Sequence, residues 1–307
     1  MTTVSNHITS RLPAVDSAAS SQNSVRIEPG VLGQHFDGLV AAAAATIAES
    51  APVHDEVLGR FVGLASRIRS ISFHEGKLLE QGLIAVANAH PDLLVLSQGL
   101  RLPIVPSALE ALKANDWTAL EGLSFDAEAR TRQCYTPDLI IVNRRTRAAL
   151  VIDLKRSLAS YGDTNRMEAL RLKMMAAALV VPDWLYKEHK RLAVDVVGIA
   201  IIDGASRPSD HEHGIWALSE IDALLEIDGA AAAMADLRAR FAHRVQVLLA
   251  AAAHEAIGNR VSDAKPQARA LDDAASGQPA SEGEEHGRRI VTFGLAARPG
   301  LALRVAH

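Results

Sequence analysis

The stretch Tyr135 to Ser157, YTPDLIIVNRRTRAALVIDLKRS, constrains the fold of this 307-residue chain more than any other. Two apolar runs, Leu139–Val142 and Ala148–Ile152, flank the polar segment Asn143-Arg144-Arg145-Thr146-Arg147, which is the pattern of a β-hairpin. Symmetry about Arg145 and Thr146 sets residues summing to 291 opposite each other, so Asp138 faces Asp153. Side chains alternate along a strand, which puts Val151, Asp153 and Lys155 on one face and Ile152 and Leu154 on the other. The runs are too continuously apolar for a sheet with one wet side.

Like charges opposite each other destabilise a sheet, so the two acids need compensation. Lys155 supplies one positive charge. A hard divalent cation with oxygen ligands supplies more, and Mg²⁺ is typically held by one or two carboxylates plus substrate phosphate. That set suits phosphodiester hydrolysis, with Lys155 orienting the nucleophile or stabilising developing charge.

Pro137-Asp138 on one strand and Asp153-Leu154-Lys155 on the next resemble the PD-(D/E)xK nuclease superfamily. Acid-x-lysine also occurs at Glu75-Gly76-Lys77, Glu188-His189-Lys190 and Asp263-Ala264-Lys265. Only the copy at 153–155 lies in an apolar run whose hairpin partner begins with Pro-Asp. The resemblance implies an α/β, restriction-endonuclease-like αβββαβ core with a mixed sheet, extra N- and C-terminal helices and flexible tails. It implies Mg²⁺-dependent cleavage of DNA, with Mn²⁺ as a possible substitute. The catalytic positions are then Glu80, Asp138, Asp153 and Lys155, and the metal positions Asp138, Asp153 and Leu154. The family often carries a glutamate on the helix before its first core strand. Glu80 and Glu75 compete for that role, and Glu80 is favoured because Glu75 sits where the helix dipole alone accounts for it. The alternative is a non-catalytic DNA-binding or assembly module that keeps the nuclease fold.

The chain carries a net charge of −4, which argues against a generally basic, coating nucleic-acid binder. From Arg130 to Lys173, however, ten basic residues face four acids. Arg144, Arg145, Arg147, Arg156, Arg166 and Lys173 are therefore candidates for contacting DNA phosphates. A single cysteine, Cys134, excludes an intramolecular disulfide and points to a reducing, cytoplasmic setting. No stretch reads as a membrane span, so no membrane partner is expected.

Five segments follow: a disordered tail over 1–28, a helical extension over 29–72, a nuclease-like core over 73–205, a helical segment over 206–257 and a mostly disordered tail over 258–307. In the extension, Phe36–Glu49 and Val53–Ile71 read as helices, the second with Val57, Phe61, Leu64 and Ile68 on its apolar stripe. A helix over 73–90, strands within 93–105, a helix from Ala108 to Ala114 capped by Ser107, a helix over Asn165–Leu179 ended by Pro182 and a strand over Leu192–Ile202 complete the core. Asp210-His211-Glu212-His213 lacks the spacing that puts two histidines on one helical face, and reads as a loop. Met234, Leu237, Phe241, Val245 and Leu248 form a stripe over 230–256 for core packing or a homodimer or partner seam. Ile290–Val305 reads as a possible short docking segment.

Overall fold

Apolar side chains at consecutive positions of the hairpin demand cover on both faces of its strands, and the structure provides it with helices above and below. The computed structural model describes residues 7–8, 25–28 and 30–258, apart from 117, 121, 122, 124, 129, 162, 163 and 206. In chain order the strands are β1 (His7–Ile8), β2 (Val25–Arg26), β3 (Leu93–Leu96), β4 (Leu102–Pro103), β5 (Cys134–Tyr135), β6 (Leu139–Asn143), β7 (Ala148–Lys155), β8 (Val196–Asp203), β9 (Ile215–Ala217) and β10 (Ile227–Asp228). The helices are α1 (Gly33–Glu49), α2 (Val62–Asn88), α3 (Pro106–Lys113), α4 (Thr164–Ala178), α5 (Val181–Glu188), α6 (Ile221–Leu225) and α7 (Ala230–Gly258).

The main sheet is mixed, in the order β3, β6, β7, β8, with β1 and β9 sharing the outer edge of β8. β3, β6 and β7 are antiparallel neighbours, and β8 runs parallel to β7 after the crossover through α4 and α5. The hairpin register is the one its sequence predicts: Leu139 pairs with Ile152 and Asn143 with Ala148. Asn143 fixes the turn, its side-chain oxygen accepting from Arg145 N at 3.0 Å and Thr146 N at 3.1 Å.

One face of the sheet, including Leu139, Ile141, Ile152 and Leu154, packs against Phe36, Leu79, Leu83 and Leu237 of α1, α2 and α7. The other, including Ile140, Val142 and Val151, packs against Leu109, Met174, Trp184 and Leu185 of α3, α4 and α5. Each large side chain so buried contributes roughly 1.5–3 kcal/mol. α7 comes close to α2 at Gly82, where an added Cβ would overlap Leu237 Cδ2 and stand 3.1 Å from Met234 Sδ. Gly82→Ala is expected to destabilise by about 1–3 kcal/mol, because overpacking outweighs the better helix propensity of Ala. Urea denaturation of the two proteins checks it, and a more stable variant would contradict the close approach.

Several boundaries differ from the sequence expectation. The two helices expected over Val53–Ile71 and 73–90 are one helix, α2, so the division at residue 73 falls inside it. Within the expected Val53–Ile71 helix, residues 53–58 are not helical. Asp55 caps the N–H groups of Val57 and Leu58 in a turn, Gly59 takes φ +48°, and Val57 is 96% exposed. Pro106 and Pro182 open helices: Pro supplies a ready-made φ in a first turn where no N–H bond is lost, and Ser107 makes no capping bond. The segment 1–28 contains β1 and β2, which pair with β8 and β10. Two-residue strands carry no periodicity to read. The α7 stripe of Met234, Leu237, Phe241 and Val245 is buried within the chain itself, so it cannot serve as a homodimer seam. The tail over 259–307, with Ile290–Val305, lies outside the described residues. Among the described residues no helix is long and apolar enough to cross a membrane.

Candidate active site

The acids and the lysine gather where β6 begins and β7 ends. Asp138 stands one residue before β6, and its N–H donates to Ile152 O at 3.1 Å. Its Oδ2 accepts the Leu154 N–H at 2.7 Å, which ties the carboxylate to the opposite strand. Asp153, 5% exposed, lies on the face of Val151, as period-two alternation requires. Its Oδ2 accepts from the Tyr135 hydroxyl at 2.8 Å, and its Oδ1 makes ion-pair contact with Lys155 Nζ.

Glu80 reaches this group from α2, beside the buried Leu79. Burial first, and then the negative charge of Asp138, push its carboxyl above the usual range, while Lys77, 3.7 Å away, opposes the shift. Burial likewise raises Asp138, followed by the charge of Asp153, against the Leu154 N–H bond and the positive charges of Lys155 and Lys77. Glu75 is engaged elsewhere, pairing with Arg156 at 3.6 Å and Arg238 at 3.3 Å. The structure thus brings together Glu80, Asp138, Asp153 and Lys155, and leaves Glu75 outside the group.

These raised values have a consequence for stability. A carboxyl held above its ordinary value of 3.8 binds more protons in the folded than in the unfolded state. Its ionisation costs nothing below that value, costs progressively more as pH rises toward the folded value, and costs fully above it. Asp138→Asn is therefore expected to stabilise the metal-free protein by about 0.5–1 kcal/mol near neutrality. Melting at about pH 7 and about pH 3 should show the gain only at the higher value. A gain that persists in acid would mean charge repulsion is not its cause.

The basic residues divide by place. Arg144, Arg145 and Arg147 sit at the hairpin turn, separated from Asp138 by the length of β6, roughly 17 Å at the usual rise per residue. Arg144 donates to Pro91 O, Arg145 pairs with Asp92 and Glu226, and Arg147 pairs with Asp195 at 2.8 Å. These partners belong to the fold, so the turn arginines do not join the acids in one cleft. Arg156 follows Lys155 directly and pairs with Glu75. Arg166 and Lys173 are exposed on α4.

Sequence reasoning missed Tyr135 and Asp203. Tyr135 opens the motif-bearing stretch, but a phenol three residues before an acid carries no recognisable spacing. Asp203 is fully buried at the end of β8, paired in register with Lys155. It accepts backbone N–H bonds from Leu158 at 3.0 Å, Ala205 at 3.1 Å and Arg207 at 3.0 Å, fixing the chain after both β7 and β8. The signal was an acid closing the most β-like run in the sequence.

Among the described residues, no group of three or more His, Cys, Asp and Glu side chains is placed to hold a metal ion. Asp210 and His213 pair with each other, and His211 pairs with Glu220. For Mg²⁺ the requirement is smaller, since one or two carboxylates with water and substrate phosphate suffice. Asp138 and Asp153 meet it in kind: they are hard oxygen donors, the first raised by burial and then by the charge of the second, and the second buried enough to need neutralising. Comparison with known family profiles, with curated proteins and with solved structures gives no match to this chain.

Proposed function

We propose that this chain is a Mg²⁺-dependent hydrolase of DNA phosphodiester bonds, with a restriction-endonuclease-like core. The observation that carries this reading is the meeting of Asp138, Asp153 and Lys155 at one end of the β6–β7 hairpin, with Glu80 directed at them from α2. The order of α2, the antiparallel strands β3, β6 and β7 with β4, α3 and β5 inserted after β3, the crossover helices α4 and α5 and the parallel strand β8 supports it as well.

Asp138 and Asp153, with the main chain at Leu154, would hold the cation. When bound, it would polarise a phosphoryl oxygen and make a bound water more acidic. The Lys155 ammonium orients the attacking water and balances negative charge growing on the phosphoryl group. Glu80, whose carboxyl is made more basic by burial and then by the charge of Asp138, is suited to take up the proton that water gives up. One P–O bond forms to the water oxygen, the bond to the leaving deoxyribose oxygen breaks, and that oxygen takes a proton from solvent.

A second reading rests on the contact between Lys155 and Asp153. An ammonium that already neutralises the buried acid is what a non-catalytic DNA-binding or assembly module would keep. Incubation with supercoiled, linear and single-stranded DNA and with RNA, in Mg²⁺, Mn²⁺ or chelator, separates the two. Cleavage that chelator abolishes supports the hydrolase; binding without cleavage of any form supports the module.

A further inference from the structure

Tyr135 belongs to β5, held in register by Leu102 of β4, and is buried on the sheet face that also carries Asp153. Its hydroxyl spends a hydrogen bond on one oxygen of an acid that has only two. The other oxygen, Oδ1, faces Lys155. We propose that Tyr135 is a positioning residue that holds Asp153 Oδ2 and so limits Asp153 to offering a cation a single oxygen, selecting a small octahedral cation over a larger one.

Ca²⁺ takes six to eight oxygens and readily accepts both oxygens of one carboxylate, whereas Mg²⁺ demands near-octahedral positions with single oxygens. A carboxylate pinned at Oδ2 by a buried phenol cannot rotate to present both atoms without breaking that bond. The ring is fixed by its strand pairing and by the apolar surroundings, so the bond restrains the acid rather than following it. Partners of this kind typically change metal affinity by about 10–100-fold when removed. The proposal rests on the reading of Asp138 and Asp153 as metal ligands, and is tested without any nucleic acid.

Tyr135→Phe keeps the ring and removes only the hydroxyl. Calorimetric titration of the full chain with Mg²⁺ and, separately, Ca²⁺ should show the Mg²⁺ affinity falling by about tenfold or more with no fall for Ca²⁺. An unchanged Mg²⁺ to Ca²⁺ ratio in a variant that melts like the parent overturns the proposal. Should the variant not fold, the near-ultraviolet tyrosine band is read during Mg²⁺ titration in a protein carrying Tyr161→Phe and Tyr186→Phe, where Tyr135 is the only tyrosine left. A shift supports the phenol's link to the ligand, and a flat response overturns it. A parent that binds Mg²⁺ selectively but cleaves nothing removes the hydrolase reading and leaves this one standing. A parent that binds neither cation overturns this proposal and leaves the hydrolase reading to the cleavage assay, where substrate phosphate completes the site.

Discussion

Lys155→Ala is expected to lower metal-dependent cleavage by about 10²–10³-fold while nucleic-acid affinity changes by less than about threefold. Under the proposed hydrolase function, the size follows from losing a preorganised positive group at the place where charge would develop, an interaction stronger in the transition state than in the bound substrate. The ammonium also neutralises Asp153, whose side chain is only 7% exposed, so the Ala variant leaves a buried carboxylate without that partner. Breaking a buried pair costs about 3–5 kcal/mol, and the metal-free variant should melt earlier for that reason. Lys155→Arg separates the two effects. It retains the charge beside Asp153 and therefore the fold, but its planar fork cannot occupy the position of a compact ammonium, so cleavage falls without the loss of stability. Cleavage, binding and melting on both variants beside the parent decide the matter. A parent with no metal-dependent cleavage of DNA or RNA, and unchanged binding on removal of Lys155, makes the non-catalytic module the better account.

Asp203→Ala is expected to destabilise the protein by about 3–5 kcal/mol, as much as breaking the Lys155–Asp153 pair. Three backbone N–H groups lose their acceptor at once, that of Leu158 in a buried place and those of Ala205 and Arg207 in partly buried ones. Each donor left unsatisfied costs roughly 1–3 kcal/mol, reduced where the loops can open to water. Asp203→Asn keeps one oxygen and turns an amino group toward N–H donors, so it should recover only part of the loss. Denaturation by urea gives the difference directly. A loss below about 1 kcal/mol would show that the two loops hold themselves without this acid.

The hairpin was legible because two constraints agreed. Runs of Leu, Ile, Val and Ala on either side of a five-residue polar turn leave one pairing that keeps apolar faces together, and Leu139 does meet Ile152. The strands at Leu93–Leu96 and Val196–Asp203 were legible for the same reason. Proline misled at Pro182, where an expected stop proved to be the first turn of α5, since one residue type serves both purposes and only the following backbone distinguishes them. In α2, half-exposed residues from Val62 to Lys77 blurred the stripe that becomes buried from Leu78 onward, and one long helix read as two. Tyr135 and Asp203 escaped because each acts through a contact distant in sequence, 18 residues to Asp153 and 45 to Leu158. Separations of that kind leave no local pattern.

Asp138, Asp153 and Lys155 all belong to one hairpin closed by a short turn, whereas β8, which completes their surroundings, joins β7 only after the crossover through α4 and α5. Hairpins close in about 1–10 μs, and pairings between distant segments come later because their loop entropy must be met first. The acids are thus brought face to face while solvent still screens them, and the low-dielectric setting that strengthens their mutual repulsion arrives afterward. Folding, for this chain, assembles the charges first and dries them second.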